Sequence, residues 1–110
     1  MPKFLFVVFT EPVEGQEDAY NDWYDNQHLS DTLNVDGVTA AHRYELVRSH
    51  RSQEPLPGYL ALYEVEAEDV ADVPRAIAAA REAGKMPMSP ALDEEKISSA
   101  FYRPITSPGG

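Results

Sequence analysis

Cysteine is absent from this 110-residue chain, so neither a disulfide framework nor thiol chemistry is available, and packing alone must hold the fold. Basic residues are scarce: 9 Lys and Arg stand against 19 Asp and Glu, a formal charge of −10. A phosphate binder needs a clustered basic footprint, and only Arg43, Arg48 and Arg51 lie close together in sequence. Nucleic acid is therefore excluded as a partner, anionic membrane surfaces are disfavoured, and the acidity serves solubility. Long hydrophobic runs are missing too. The apolar stretch Phe4 to Phe9 is too short for a signal-peptide core or a membrane span, which predicts a cytoplasmic protein with no membrane partner. There is no internal repeat, no glycine-rich phosphate loop and no nucleophile elbow; Gly109-Gly110 belongs to a tail.

The chain is otherwise of ordinary globular composition, 43% apolar and 25% charged, and its length predicts a single domain over residues 1–104 with 105–110 as a tail. Lys3 to Thr10 is apolar at nearly every position and reads as a strand covered on both faces. Pro12 and Gly15 punctuate a turn before a helix from about Gln16 to His28, with Glu17 and Asp18 in its first turn, and Leu29 to Val35 adds a short helical turn. After Asp36-Gly37, Val38 to Val47 alternates as a strand: Val38, Ala40, His42, Tyr44 and Leu46 on one face, Thr39, Ala41, Arg43, Glu45 and Val47 on the other. Arg48 to Gly58 reads as a long hairpin loop, and Tyr59 to Glu66 as a third strand, again apolar on both faces for much of its length.

A second helix is predicted over about 70–83. Pro74 is tolerated only in a first turn, so the start falls near Asp72 or Val73, and Gly84 terminates the helix. Lys85 to Leu92, with Met86 and Met88, is a loop that suits either a pocket wall or a gap-filling connection, and Lys96 to Arg103 is the last strand.

The order β-α-β-β-α-β is that of an α+β ferredoxin-like fold, a four-stranded antiparallel sheet with two helices on one face. Two helices cover only that face, yet two strands are apolar on both. A second copy of the chain is the economical source of cover, so a homodimer with facing sheets is expected.

One segment gathers the chemistry: Trp23-Tyr24-Asp25-Asn26-Gln27-His28, followed by Leu29-Ser30-Asp31. At α-helical spacing Tyr20, Tyr24 and His28 form one inward column with Trp23 and Gln27 beside it, which puts His28 at the wall of a pocket near Tyr24 and Asp31. The bland alternative makes Trp23 and Tyr24 core anchors and leaves His28 as a cation ending the helix.

Trp23-Tyr24-Asp25 with His28, then Gly37-Val38 and Arg43-Tyr44, resembles the EthD-like branch of the dimeric α+β barrel superfamily, and the spacing from His28 to Gly37 is also similar to that of methylmuconolactone isomerases. Two departures stand out: the branch's His-x-Pro is His28-Leu29-Ser30 here, and its Pro-Gly turn is Asp36-Gly37. The resemblance implies a dimeric barrel whose relatives include isomerases, cyclases, cofactor-free oxygenases and haem enzymes.

The residues themselves suit cofactor-free acid–base chemistry on a small apolar carbonyl or aromatic metabolite, of lyase, isomerase, dehydratase or cyclase type. His28 is the candidate proton shuttle, Asp31 or Asp25 its orienting carboxylate, and His42 a second candidate base. Tyr24, Tyr44 and Tyr63 are candidate donors to an enolate, and Trp23 and Phe6 complete the substrate-binding set. An acid limb near the ordinary histidine pKa of about 6.5 is then expected in the activity profile. The alternatives are a cofactor-independent monooxygenase or a non-catalytic ligand binder. A metal site from His28, Asp31 and His42 lacks ligand-type spacing, and haem lacks basic groups for its propionates, so no metal and no cofactor is expected.

Overall fold

The computed structural model describes residues 1–106; residues 107–110, the end of the expected tail, lie outside them. The elements are β1 (Lys3–Thr10), α1 (Glu17–Trp23), a π-helical turn (Tyr24–His28), α2 (Leu29–Leu33), β2 (Val38–Glu45), β3 (Tyr59–Glu66), α3 (Asp72–Glu82), a 3₁₀ turn (Glu94–Lys96) and β4 (Ser98–Tyr102). The sheet is antiparallel throughout, in the order β2-β3-β1-β4, the ferredoxin-like arrangement. The two most apolar strands are thus the central pair, as strands with two covered faces should be.

Register separates the faces. Phe6 pairs with Tyr63 and Phe101, and Val8 with Ala61 and Ser99, so these side chains share the face beneath the helices. Tyr20 and Tyr24 from the first helical segment and Val73 from α3 close over them, and with Tyr63 and Val65 they are the most completely buried large side chains. Each such side chain contributes roughly 1.5–3 kcal/mol by leaving water. The other face carries Leu5, Val7 and Phe9 of β1 against Leu60, Leu62 and Glu64 of β3, and Ala40, His42 and Tyr44 of β2. Among the described residues no helix covers it, and Tyr44 and Tyr102 stand more than half exposed there.

Three details depart from the sequence reading. The helix expected over 16–28 does not stay α-helical: it widens into a π turn at Tyr24–His28, and the backbone then continues helically to Leu33. β2 contains a bulge between Val38 and Ala40, so strict alternation fails: Val38 is buried under the helices while Ala40, His42 and Tyr44 point to the open face. β2 also ends at Glu45, two residues before the expected Val47, although the Leu46 amide still donates to the Gly58 carbonyl where the hairpin loop opens. The start of β2 is pinned by Gly37, whose φ of +93° and close approach to the Glu66 carbonyl, 3.0 Å from where a Cβ would sit, leave room for glycine alone.

Candidate functional site

The π turn sets the geometry of the site. A π-helix places residues five apart above one another, and Trp23 and His28 are five apart. Their rings stack with centroids 4.5 Å apart at 23°, while Tyr24 meets the imidazole edge-on at 4.9 Å. Trp23 is held from behind: its indole N–H donates to the Pro87 carbonyl at 3.1 Å, which ties the loop after α3 to the same turn. The imidazole is thus clamped between two rings in a chosen orientation. Gln27, expected beside the column, is exposed.

His28 lines a cavity of about 220 Å³ between the helices and the sheet. Phe6, Val8 and Ser99 form its floor, and Ile77, Met86, Met88 and Leu92 form much of its apolar wall. Its polar groups are few. Tyr24 and Tyr63 both reach it, and their hydroxyls are 3.0 Å apart, so one donates to the other and one proton remains free to donate elsewhere. Burial raises both phenol pKa values above the ordinary one, so both stay protonated donors. Thr32 lines the cavity and donates its hydroxyl to the His28 carbonyl at 2.9 Å, fastening the end of the π turn.

Burial pushes the His28 pKa down to about 4, and the positive charges of Arg81 and Arg43 push it the same way. His28 is therefore a neutral imidazole at physiological pH, and the reading of it as a cation ending a helix does not hold. Its Nδ1 is buried with no hydrogen-bond partner. Asp31 does not supply one: its Oδ2 is also buried and unpartnered, so no bond joins the two. Asp25 turns away to Arg43, at 2.5 Å. Neither carboxylate orients His28 here; the ring stack and edge contact do.

The structure does not bring His42 or Tyr44 to this cavity. Both lie on the open face of the sheet, because the bulge at the start of β2 shifts the phase of that strand. His28, Asp31 and His42 accordingly do not converge. Trp23 sits behind the imidazole and is not among the lining side chains, whereas Phe6 and Tyr63 are.

With Val38 and Ala41, β2 also sends Arg43 under the helices, a residue that the candidate set left out. Its guanidinium lies 4.3 Å above the Tyr24 ring and within 5.5 Å of the Tyr20 and Tyr59 rings, and it donates to Asp25 and, at 2.9 Å, to Asn21. The register of β2 past its bulge places Arg43 there, and nothing in the sequence marks that bulge. A larger hollow of about 410 Å³ at the Lys3 and Tyr102 end of the sheet contains neither a histidine nor a buried phenol.

No family model and no curated protein matches the sequence. Solved structures do match the fold. An EthD-family protein of Bacillus halodurans C-125 superposes with a TM-score of 0.64 at 17% identity, covering 96% of this chain and 100% of its own. The chain shares the ferredoxin-like α+β fold of that protein. A protein of Shewanella loihica PV-4 with a proposed monooxygenase role superposes at 0.65 with 13% identity, over 96% of this chain and 97% of that one. A point mutant of MhuD, solved with two manganese protoporphyrin IX molecules per active site, superposes at 0.66 with 14% identity, over 97% and 99%. At such identities the likeness establishes the fold alone, which is compatible with small-molecule enzymes and binders alike. Among the described residues, no helix is long and apolar enough to cross a membrane.

Proposed function

We propose that the protein is a cytoplasmic, homodimeric, cofactor-free acid–base enzyme of lyase or isomerase type, acting on a small single-ring carbonyl or aromatic compound. The observation that carries this reading is the neutral imidazole of His28, clamped by rings in the wall of an apolar cavity that also holds a free phenolic proton. A neutral imidazole can take a proton from a carbon beside a carbonyl. The charge that develops on the carbonyl oxygen is then met by the Tyr24–Tyr63 hydroxyl pair. Return of the proton from His28 to another carbon completes an isomerisation; expulsion of a leaving group from the enolate completes an elimination.

The cavity supports the size limit. Typical drug-sized pockets span about 300–1,000 Å³, whereas an engineered cavity of about 150 Å³ holds benzene. At about 220 Å³ this one suits one substituted ring. The open apolar face of the sheet supports the dimer, since Leu5, Val7, Phe9, Leu60 and Leu62 lie on it and no helix among the described residues covers them.

Deuterium uptake tests the chemistry without knowledge of the full reaction. A panel of cyclic enones, lactones and hydroxyquinones is incubated with the protein in deuterium oxide and followed by proton NMR. Exchange at a carbon next to the carbonyl is expected with the native chain and not with His28→Asn. Exchange that survives in His28→Asn removes His28 as the base.

A further inference from the structure

Among the residues that line the His28 cavity, Arg81 alone carries a formal charge at neutral pH. It sits in the last turn of α3. A cation there complements the helix dipole on any face of the helix, so the dipole does not account for its position against the cavity. Nor does an ion pair: the pairs among the described residues join Arg43 to Asp25 and Arg75 to Asp72, and none involves Arg81. Without a carboxylate partner among the described residues, Arg81 has donors available to a ligand at the cavity wall.

The rest of the cavity agrees. It contributes no Asp or Glu to the lining, and its other polar groups are hydroxyls and the imidazole. The second arginine near His28, Arg43, is paired with Asp25, yet its charge still acts on the imidazole. After burial itself, the charges of Arg81 and Arg43 oppose protonation of His28. A neutral ligand would leave the Arg81 guanidinium without a counter-charge, whereas an anionic one would supply it.

We propose that the cavity takes a single-ring compound bearing a carboxylate or an equally acidic oxygen, with that anionic group on the Arg81 guanidinium and an oxygen substituent across the ring on the Tyr24–Tyr63 hydroxyl pair. This deepens the acid–base reading of the same cavity by naming the substrate class. Arg81 is then a specificity-determining residue, placed so that the ring lies over Phe6 with its reactive carbons toward His28.

The test compares two probes of nearly equal shape, 4-hydroxybenzoate and 4-hydroxybenzamide, by isothermal titration calorimetry or ligand-observed NMR against the full chain. The native protein is expected to bind the anion about tenfold more tightly than the amide, the scale of one charge-assisted bidentate contact. Arg81→Gln should abolish the preference, chiefly by weakening the anion, and Arg81→Lys should keep part of it. Arg81 is exposed, so neither change threatens the fold. Equal affinity for the two probes in the native chain, a preference that survives Arg81→Gln, or no binding of either probe at millimolar concentration overturns the proposal. The same titration on His28→Asn separates the two readings. An intact preference there, with deuterium exchange also intact, removes the acid–base reading and leaves the anion site standing. A missing preference in the native chain, with exchange still dependent on His28, does the reverse.

Discussion

Trp23 and His28 stack face to face at 4.5 Å because the chain makes a π turn between them. In a continuous α-helix residues five apart point about 140° away from each other, and the imidazole would meet Tyr24 and not the indole. Widening one turn brings the two rings into register and delivers His28 to the cavity. A π turn costs hydrogen-bond geometry, and such turns gather at functional sites. Here the cost is offset by an aromatic clamp that holds an imidazole whose Nδ1 has no hydrogen-bond partner.

That clamp makes acid the weak point of the fold. The pKa of His28 is about 4 in the folded chain, against an ordinary value near 6.5 when unfolded. Above the unfolded value both states are neutral and the histidine has no effect on stability. As pH falls below it the unfolded chain takes up a proton that the folded chain refuses, so stability declines, and the decline levels off below about pH 4. The full effect is roughly 3 kcal/mol. His28→Phe keeps the stacking and cannot titrate. Urea unfolding of both proteins at about pH 8 and about pH 4 should show the native chain losing more stability than the variant by that order. The same shift moves the acid limb of any His28-dependent activity well below the position of about 6.5 that an unperturbed histidine would give. Equal losses in the two proteins would mean that the ring is not desolvated.

The Tyr24 and Tyr63 hydroxyls form a buried pair, and removing one deprives the other of that partner. Tyr24→Phe and Tyr63→Phe should each destabilise by about 1–2 kcal/mol. The double variant should cost less than the sum, because two phenyl groups leave no unpaired polar atom. A double-mutant cycle by thermal or urea unfolding measures the coupling. Strict additivity would show that the two hydroxyls do not depend on each other.

Much of this was legible beforehand. Apolar runs and turn residues gave the element order, and the aromatic-histidine segment does supply two lining residues, Tyr24 and His28, to the cavity under the helices. What escaped was phase. A single-residue bulge beside Thr39 moves every later residue of β2 relative to Val38, so His42 and Tyr44 leave the site and Arg43 enters beneath the helices. Alternation in sequence carries no mark of where a strand inserts a residue. The π turn is hidden for the same reason, since Tyr24–His28 reads as α-helix at any α-helical spacing. Arg81 escaped because an arginine in a last helical turn has a sufficient local explanation until the cavity beside it is seen.

Arg43 and Asp25 form an unequal pair. The arginine side chain is 12% exposed and the aspartate 59%. Asp25 therefore contributes as an exposed partner does, and Asp25→Ala should cost under about 1 kcal/mol. Arg43→Ala loses the Asn21 bond and the ring contacts with Tyr20, Tyr24 and Tyr59 as well, and leaves a gap between α1 and β2. A cost of about 2–4 kcal/mol is expected. Thermal unfolding of the two variants ranks them. Equal and small losses would place the guanidinium in solvent and not over the rings.

The open sheet face sets the last expectation. Leu62 lies at its centre, paired with Val7 on one side and His42 on the other. If a second copy covers this face, each protomer buries about 800 Å² or more there, the scale of a stable interface. His42 and Tyr44, displaced from the His28 cavity by the bulge, would then lie in that interface. Leu62→Glu would set an unpaired charge in the middle of it, at a cost of several kcal/mol per protomer. On the open face of a lone protomer the same glutamate would meet water and cost little. Analytical ultracentrifugation should therefore find a dimer for the native chain and a folded monomer for Leu62→Glu. A native chain that sediments as a monomer at micromolar concentration would mean that the apolar face has some other cover.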